Sequence, residues 1–167
     1  MRVLVSDTSV IIDLERGSLL QDVFRLPFEF AVPDLLFRRE LKGALGDQLV
    51  AWGLRVEELT SDEVARATSV RRANSALSVP DTFAFSLATV RGWTLLTGDG
   101  GLRNLAISTG LNVHGVLWLC DQLEAGRHVP NSRLHACLTT ISAHPRCRLP
   151  TTDVKRRLAR YASSAPD

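Results

Sequence analysis

The chain has 167 residues, 45% of them hydrophobic and 23% charged, the composition of an ordinary domain with room for a real core. Its net charge of +2 does not mark it as a nucleic-acid binder by charge alone, and nowhere do about 18 uncharged apolar residues run together, so a membrane-spanning helix is excluded. The N-terminus lacks a charged segment leading into a long apolar run, so a cytoplasmic protein is the expectation.

The first dozen residues organise the rest. Val3 to Val5 form an apolar β-prone run that ends in Ser6-Asp7-Thr8-Ser9, and Val10, Ile11 and Leu14 then recur at helical spacing. This predicts a buried strand feeding a helix. A strand buried on both faces belongs to a parallel sheet, whose functional crevice lies beyond the carboxyl ends of its strands, and Asp7 is expected at that edge.

Gly17-Ser18 breaks the pattern, and Leu19 to Leu26 predicts a short helix ending near Pro27. Phe28 to Val32 is a compact strand, and Pro33-Asp34 opens a helix expected to run to about Gly43, since proline suits a first helical turn. A helix over Leu45 to Trp52 and a strand over Leu54 to Leu59 follow, and Ser61 is expected to cap a helix reaching about Asn74. Ser78-Val79-Pro80-Asp81 opens a helix from Thr82 to Arg91, with Ala84, Leu87 and Ala88 as its close-packing face and Gly92 as its stop.

Trp93 to Thr97 is a second strand, ended by Gly98-Asp99-Gly100-Gly101 and followed by a helical stripe of Leu102, Leu105 and Ala106. The strand-turn-helix form of the opening is thereby repeated. Asn112 to His114 suggests a short edge strand, and helices are expected through Leu117 to Leu123, Leu134 to Ala143 and Val154 to Tyr161, with a frayed tail from Ser163. Such alternation predicts a three-layer α/β/α fold with a mainly parallel central sheet. Residues 1–167 are read as one domain, an acidic-site core to about residue 123 and a helical extension over about 124–162.

Four carboxylates resist a plain surface account. Asp7 and Asp99 each follow a buried strand and precede a helix, which places both at one sheet edge. Glu40 sits among Leu36, Phe37, Leu41 and Ala44 at helical offsets, so it is expected on the stripe facing the sheet, where an unpartnered carboxylate is costly. Asp81 begins a helix. Each has a plainer account: Asp7 a turn, Asp99 a loop, Asp81 an acid complementing the helix dipole, and Glu40 a buried salt bridge to an arginine. The four together are more specific than any one, because four independent accounts must otherwise hold at once.

Converging carboxylates repel, and a divalent cation resolves the conflict. An all-oxygen donor set suits Mg²⁺ or Mn²⁺ rather than zinc, and the chemistry such a cation supports is phosphodiester hydrolysis.

The order Asp7 in an Asp-Thr-Ser turn, Glu40 after Val32-Pro33, Asp81 at a helix start and Thr97-Gly98-Asp99 after a later strand resembles that of PIN-domain nucleases. The likeness spans Met1 to about Leu123 and is especially to VapC-type ribonucleases, while His114 to Asp121 resembles a subgroup of small stand-alone PIN proteins. It implies that Asp7, Glu40, Asp81 and Asp99 are catalytic and bind one or two Mg²⁺ or Mn²⁺ ions. It further implies that Ser9 supports Asp7 or a metal water, that Thr97 orients the cluster, and that RNA is cut to leave a 3′-hydroxyl and a 5′-phosphate. A homodimer and, for toxin members, a small antitoxin that blocks the site are also implied.

The basic side is almost all arginine, Lys42 and Lys155 being the only lysines, which fits phosphate recognition and a GC-rich genome equally well. Arg103, one turn beyond Asp99, is a candidate RNA contact or an ion-pair partner of Asp99. Arg38 and Arg39 flank Glu40 on the exposed side as further candidates for RNA. Arg71-Arg72 and Arg156-Arg157-Arg160 read as solvated faces.

Cys120, Cys137 and Cys147 are odd in number and lack a CxxC pair, so reduced thiols are expected. His135, Cys137, His144 and Cys147 fit no standard zinc spacing and read as packing or exposed residues. Trp52, Trp93 and Trp118 read as core or dimer contacts.

The leading expectation is a metal-dependent endoribonuclease, the toxin of a type II toxin–antitoxin pair. The alternative from another class is a non-catalytic PIN-like module that holds nucleic acid or a protein. A haloacid-dehalogenase-type phosphatase also places Asp after its first strand, but needs a second acid two residues on, where this chain has Ser9.

Overall fold

The computed structural model describes residues 1–164. Five parallel strands, β1 (Arg2–Ser6), β2 (Phe28–Pro33), β3 (Arg55–Glu57), β4 (Thr94–Leu96) and β5 (Val113–His114), form one sheet in the order β3-β2-β1-β4-β5. Around it lie α1 (Thr8–Arg16), α2 (Leu20–Val23), α3 (Asp34–Leu36), α4 (Ala44–Ala51), α5 (Ser61–Ala73) and α6 (Val79–Arg91). The chain continues through α7 (Gly100–Ser108), α8 (Val116–Ala125), α9 (Asn131–Ala143) and α10 (Thr151–Ser163). The three-layer α/β/α expectation holds, with every strand pair parallel.

Alternation along the strands divides the core in two. Leu4 and Leu96 point to one side, where Val10, Ile11 and Leu14 of α1, Leu119 and Leu123 of α8, and Leu134, Leu138 and Ile141 of α9 are buried with them. Val5 and Leu95 point to the other, against Ala84, Phe85, Leu87 and Ala88 of α6 and Leu102 and Ala106 of α7. Truncating one of these buried leucines to alanine typically costs about 2–5 kcal/mol.

The strand order has a functional consequence. The chain proceeds outward from β1 to β2 and β3, then returns to place β4 on the other side of β1, so the order reverses between β1 and β4. Crevices at such a reversal, beyond the carboxyl ends of the strands, are where open α/β sheets bind ligands. Val5 pairs with Leu95 and Ser6 with Leu96, and the Asp7 N–H donates to the Leu96 carbonyl at 2.9 Å, so Asp7 and Thr97 leave the sheet side by side.

Several boundaries differ from the sequence-based expectation. The helix after Pro33 does not run straight to Gly43: α3 gives way to a π-helical turn over Phe37–Leu41, and Gly43, at φ +122°, precedes α4. The wider turn brings Leu36 and Leu41, five residues apart, onto the buried side and leaves Arg38, Arg39 and Glu40 exposed. Thr60, not Ser61, caps α5: its backbone is still extended, its hydroxyl accepts the Glu63 N–H, and Glu63 accepts the Thr60 N–H. Gly92 ends α6 in the left-handed region, at φ +67°, as its glycine signal predicts. Ser163, expected to begin a frayed tail, closes α10, and residues 165–167 of that tail lie outside the described residues.

No helix among the described residues is long and apolar enough to cross a membrane. All three cysteines are free thiols, and burial raises those of Cys120 and Cys137.

Candidate active site

Asp7 is the hub of a hydrogen-bond network at the carboxyl edge of β1 and β4. The residue is 1% exposed, and its Oδ1 accepts the Val10 N–H at 3.1 Å as the cap of α1. The Ser9 hydroxyl donates to the same oxygen at 2.7 Å, and the Thr97 hydroxyl donates to Oδ2 at 2.5 Å. Ser9 Oγ accepts the Gly98 N–H at 3.0 Å, and a Cβ on Gly98 would meet that oxygen at 2.9 Å, so a larger residue here would push the Ser9 side chain aside.

Asp99 repeats the arrangement one strand away. Its Oδ1 caps α7 by accepting the Leu102 N–H at 2.8 Å, and its own N–H donates to Thr97 Oγ1 at 2.9 Å. The plainer accounts of Asp7 and Asp99 as local turn formers are therefore true of one oxygen in each. Asp99 Oδ2 is left without a hydrogen bond among the described residues.

Asp81 enters from the first turn of α6, whose Ser78 cap accepts the Asp81 N–H at 3.2 Å. Burial first, and then the negative charges of Asp7, Asp99 and Glu40, push its pKa from 3.8 to about 6, with hydrogen bonding to Ser78 acting the other way. Asp81 is thus an acid in the first turn of α6, where the helix dipole favours it, and also a partly buried group beside other carboxylates. Asp7 is also raised, by burial, against the opposing pull of its hydrogen bonds from Thr97, Ser9, Val10 and Gly98.

Asp7, Asp81 and Asp99 face one open cavity of about 610 Å³, with Ser9, Asp13 and Arg16 on its α1 side. Glu40 is corrected in one respect. It is exposed rather than buried, because the π-helical turn rotates it off the packed side, and it pairs with no arginine among the described residues. Its carboxylate instead accepts a hydrogen bond from the Thr8 hydroxyl, next to Asp7, which keeps its charge close enough to act on Asp81.

The donor chemistry suits a hard divalent cation. It is all oxygen, with repulsion felt at Asp81 that a positive charge would relieve. No three His, Cys, Asp or Glu side chains among the described residues are gathered tightly enough to enclose an ion. Mg²⁺ usually keeps several waters and uses only one or two protein carboxylates, and Asp7 and Asp99 are the residues here that could supply them. Likewise His135, Cys137, His144 and Cys147 form no metal-holding group among the described residues.

A family model described as a PIN domain matches residues 3–163. The chain belongs to the PIN-domain family. PIN domains are generally nucleases, and in this one Asp7, Asp81 and Asp99 line one cavity at the sheet reversal. No curated protein matches the chain.

The basic residues divide by partner. In this PIN domain Arg103 makes no ion pair with Asp99; its Nη2 donates to the Thr97 carbonyl at 3.1 Å and lies against Gly115, where a Cβ would meet it at 2.8 Å. It braces the turn after β4. Arg38 pairs with Asp34 at 3.5 Å, and Arg39 is exposed. Arg157 and Arg160 grip Asp121 and Glu124 of α8, so that stretch is an ion-pair network rather than a merely solvated face.

Trp93 lies under Arg55 and Arg91, and Trp118 stacks on His114 at 4.1 Å. Trp52 packs near Phe24 at the edge of the core.

Sequence reasoning misses Asp13, which is buried, raised by that burial, and on the cavity wall. Its signal is present in the chain: Ser9, Ile12, Asp13 and Arg16 fall at i, i+3, i+4 and i+7, one face of α1, and all four line the cavity.

Proposed function

We propose that the chain is a metal-dependent endoribonuclease and that Asp7, Asp81, Asp99 and Glu40 are its catalytic acids. The observation that carries this reading is the shared cavity of Asp7, Asp81 and Asp99 at the β1/β4 reversal, with Asp81 pushed to about 6 by burial and its acidic neighbours. Such crowding of carboxylates disfavours the apo state and is relieved by a cation.

Asp7 and Asp99 would hold Mg²⁺ or Mn²⁺, one or two ions, with Asp81 and Glu40 completing the negative field. When bound, the cation supplies Lewis acidity toward the phosphodiester and an acidified water. Ser9 and Thr97 fix the rotamer of Asp7 through its two oxygens, leaving the carboxylate no freedom to swing away. Thr97 also anchors the Asp99 backbone, so one hydroxyl sets the spacing of two acids.

The likeness of the acidic order to VapC-type ribonucleases supports a finer reading. The protein acts in the cytoplasm as the toxin of a type II pair, as a homodimer, restrained by a small antitoxin that covers the cavity. Induced expression should arrest growth, and co-expression of a small protein encoded next to it should relieve the arrest.

The deciding experiment is cleavage of an end-labelled mixed RNA pool in Mg²⁺ or Mn²⁺, beside EDTA and Asp7→Asn. Cutting that disappears in both controls supports the nuclease. Binding of RNA without any cutting under every metal condition leaves the non-catalytic binding module instead.

A further inference from the structure

The cavity has a second wall that the acids do not use. The link between α9 and α10 supplies Pro145, Arg146, Cys147, Arg148 and Leu149 to the same cavity that Asp7, Asp81 and Asp99 line. These residues are remote from Asp7 in sequence and reach it only because α9 is seated on α1 and α2. Gly17, ending α1, lets the helices touch: a Cβ there would meet Ile141 Cδ1 at 2.5 Å and the Cys137 carbonyl oxygen at 3.2 Å. Arg133 of α9 donates to Asp22 at 2.7 Å and to the Ser18 carbonyl at 2.8 Å.

The far end of the link is fixed as well. Arg157 of α10 donates from Nε and Nη2 to the two oxygens of Asp121 at 2.8 and 2.7 Å. Within the link, His144 Nδ1 accepts the Arg146 N–H at 3.1 Å and the His144 carbonyl accepts the Cys147 N–H at 3.0 Å, a compact turn. The wall is held in place at both ends.

Arg146 and Arg148 are exposed, and neither makes an ion pair among the described residues, unlike Arg91, Arg133, Arg157 and Arg160. Two uncommitted guanidiniums facing an acidic floor have a clear electrostatic use. A polyanion is repelled by the floor and needs opposite charge on the approach, and guanidinium forks match phosphate oxygens.

We propose that Arg146 and Arg148 form a phosphate-binding wall that takes the backbone of single-stranded RNA beside the bond to be cut. This rests on the nuclease reading and extends it to how the substrate is held. Ordering of the strand across the cavity, between the arginine wall and the acids, then sets which phosphate reaches Asp7.

The test uses the full chain carrying Asp7→Asn, so that RNA is bound without being consumed, and a short fluorescein-labelled mixed-sequence RNA followed by anisotropy across a salt series. Adding Arg146→Ala and Arg148→Ala should weaken binding by about tenfold or more and lower the salt slope by about 1.4, two single-strand phosphate contacts at about 0.7 each. Arg156→Ala, on an outer face beside Asp153, should change neither. In the chain with Asp7 intact, the double variant should lower kcat/KM, mostly through a higher KM. RNA binding by the parent with an unchanged affinity and slope in the double variant overturns the arginine wall and leaves the nuclease standing. A parent that neither binds nor cuts RNA overturns both.

Discussion

The Thr97 hydroxyl donates to Asp7 Oδ2 at 2.5 Å while accepting the Asp99 N–H at 2.9 Å, so one side chain on β4's exit couples the acids of two strands. Replacing it with valine keeps the shape, removes both bonds and leaves a buried carboxylate oxygen without a donor. Partners that orient ligating carboxylates are typically worth about 10–100-fold in metal affinity or activity. Thr97→Val should lose activity on that scale, with Thr97→Ser restoring most of it. Equal activity of Thr97→Val and the parent would remove Thr97 from the positioning of the site.

Asp81 makes the site's stability depend on pH. Its folded pKa of about 6 lies above the ordinary 3.8, so below about 3.8 it is protonated folded or unfolded and has no effect. As pH rises through 6 the folded protein must accept its charge beside Asp7, Asp99 and Glu40, and stability falls. A cation offsets that loss only once the carboxylate is ionised. The Mg²⁺-induced rise in melting temperature should therefore grow between about pH 5 and about pH 7.5. Asp81→Asn should melt higher than the metal-free parent near the top of that window but not at low pH. A Mg²⁺ response that is flat across this window would contradict the assignment.

Glu40 and Arg146 mark where sequence legibility ends. Asp7 and Asp99 are legible because a buried strand stopping at a polar turn fixes the sheet edge, and that pattern is local. Glu40 falls on the right segment but the wrong face, since a regular helical period is assumed where the backbone takes a π-helical turn. The cap of α5 is off by one because Thr60 and Ser61 are chemically interchangeable as caps, and only the extended backbone of Thr60 decides. Arg146 and Arg148 carry no local signal at all. Their place depends on the packing of α9 against α1, a contact between residues far apart in the chain.

A buried carboxylate away from the acids is held by an arginine, Glu63 by Arg91. Glu63 is 1% exposed and takes Arg91 Nε and Nη2 at 3.0 and 3.1 Å, while Arg91 also reaches Glu57 at 2.9 Å and the Glu58 carbonyl at 3.0 Å. The Arg91 guanidinium, first among its neighbours, holds Glu63 below its ordinary 4.5. This contribution is present above 4.5 and is lost as pH falls through the lowered pKa. Arg91→Met leaves Glu63 buried and unpaired, which should cost about 3–5 kcal/mol in urea unfolding at neutral pH. Adding Glu63→Gln should recover part of that loss. A cost below about 1 kcal/mol, the scale of an exposed pair, would show the bridge to be incidental.

Asp7 should trade stability for activity in a way one substitution exposes. Its charge is nearly sealed from water and its pKa is raised by that burial, so at neutral pH without metal the ionised form burdens the fold. Asp7→Asn keeps an oxygen for the Val10 N–H and the Ser9 hydroxyl, and the amide hydrogen it introduces can be accepted by Thr97 Oγ1, which has a second lone pair beside the one facing the Asp99 N–H. The charge is gone, at the cost of the acceptor that Oδ2 gave the Thr97 hydroxyl. The variant should therefore melt about 2–4 °C above the metal-free parent, the shift expected of roughly 1 kcal/mol in a chain of this size. In Mg²⁺ the order should reverse, because only the parent retains the charge that a cation needs. A variant that melts lower than the parent without metal would mean that the Asp7 charge is compensated inside the protein, and the cation would lose its reason to bind there.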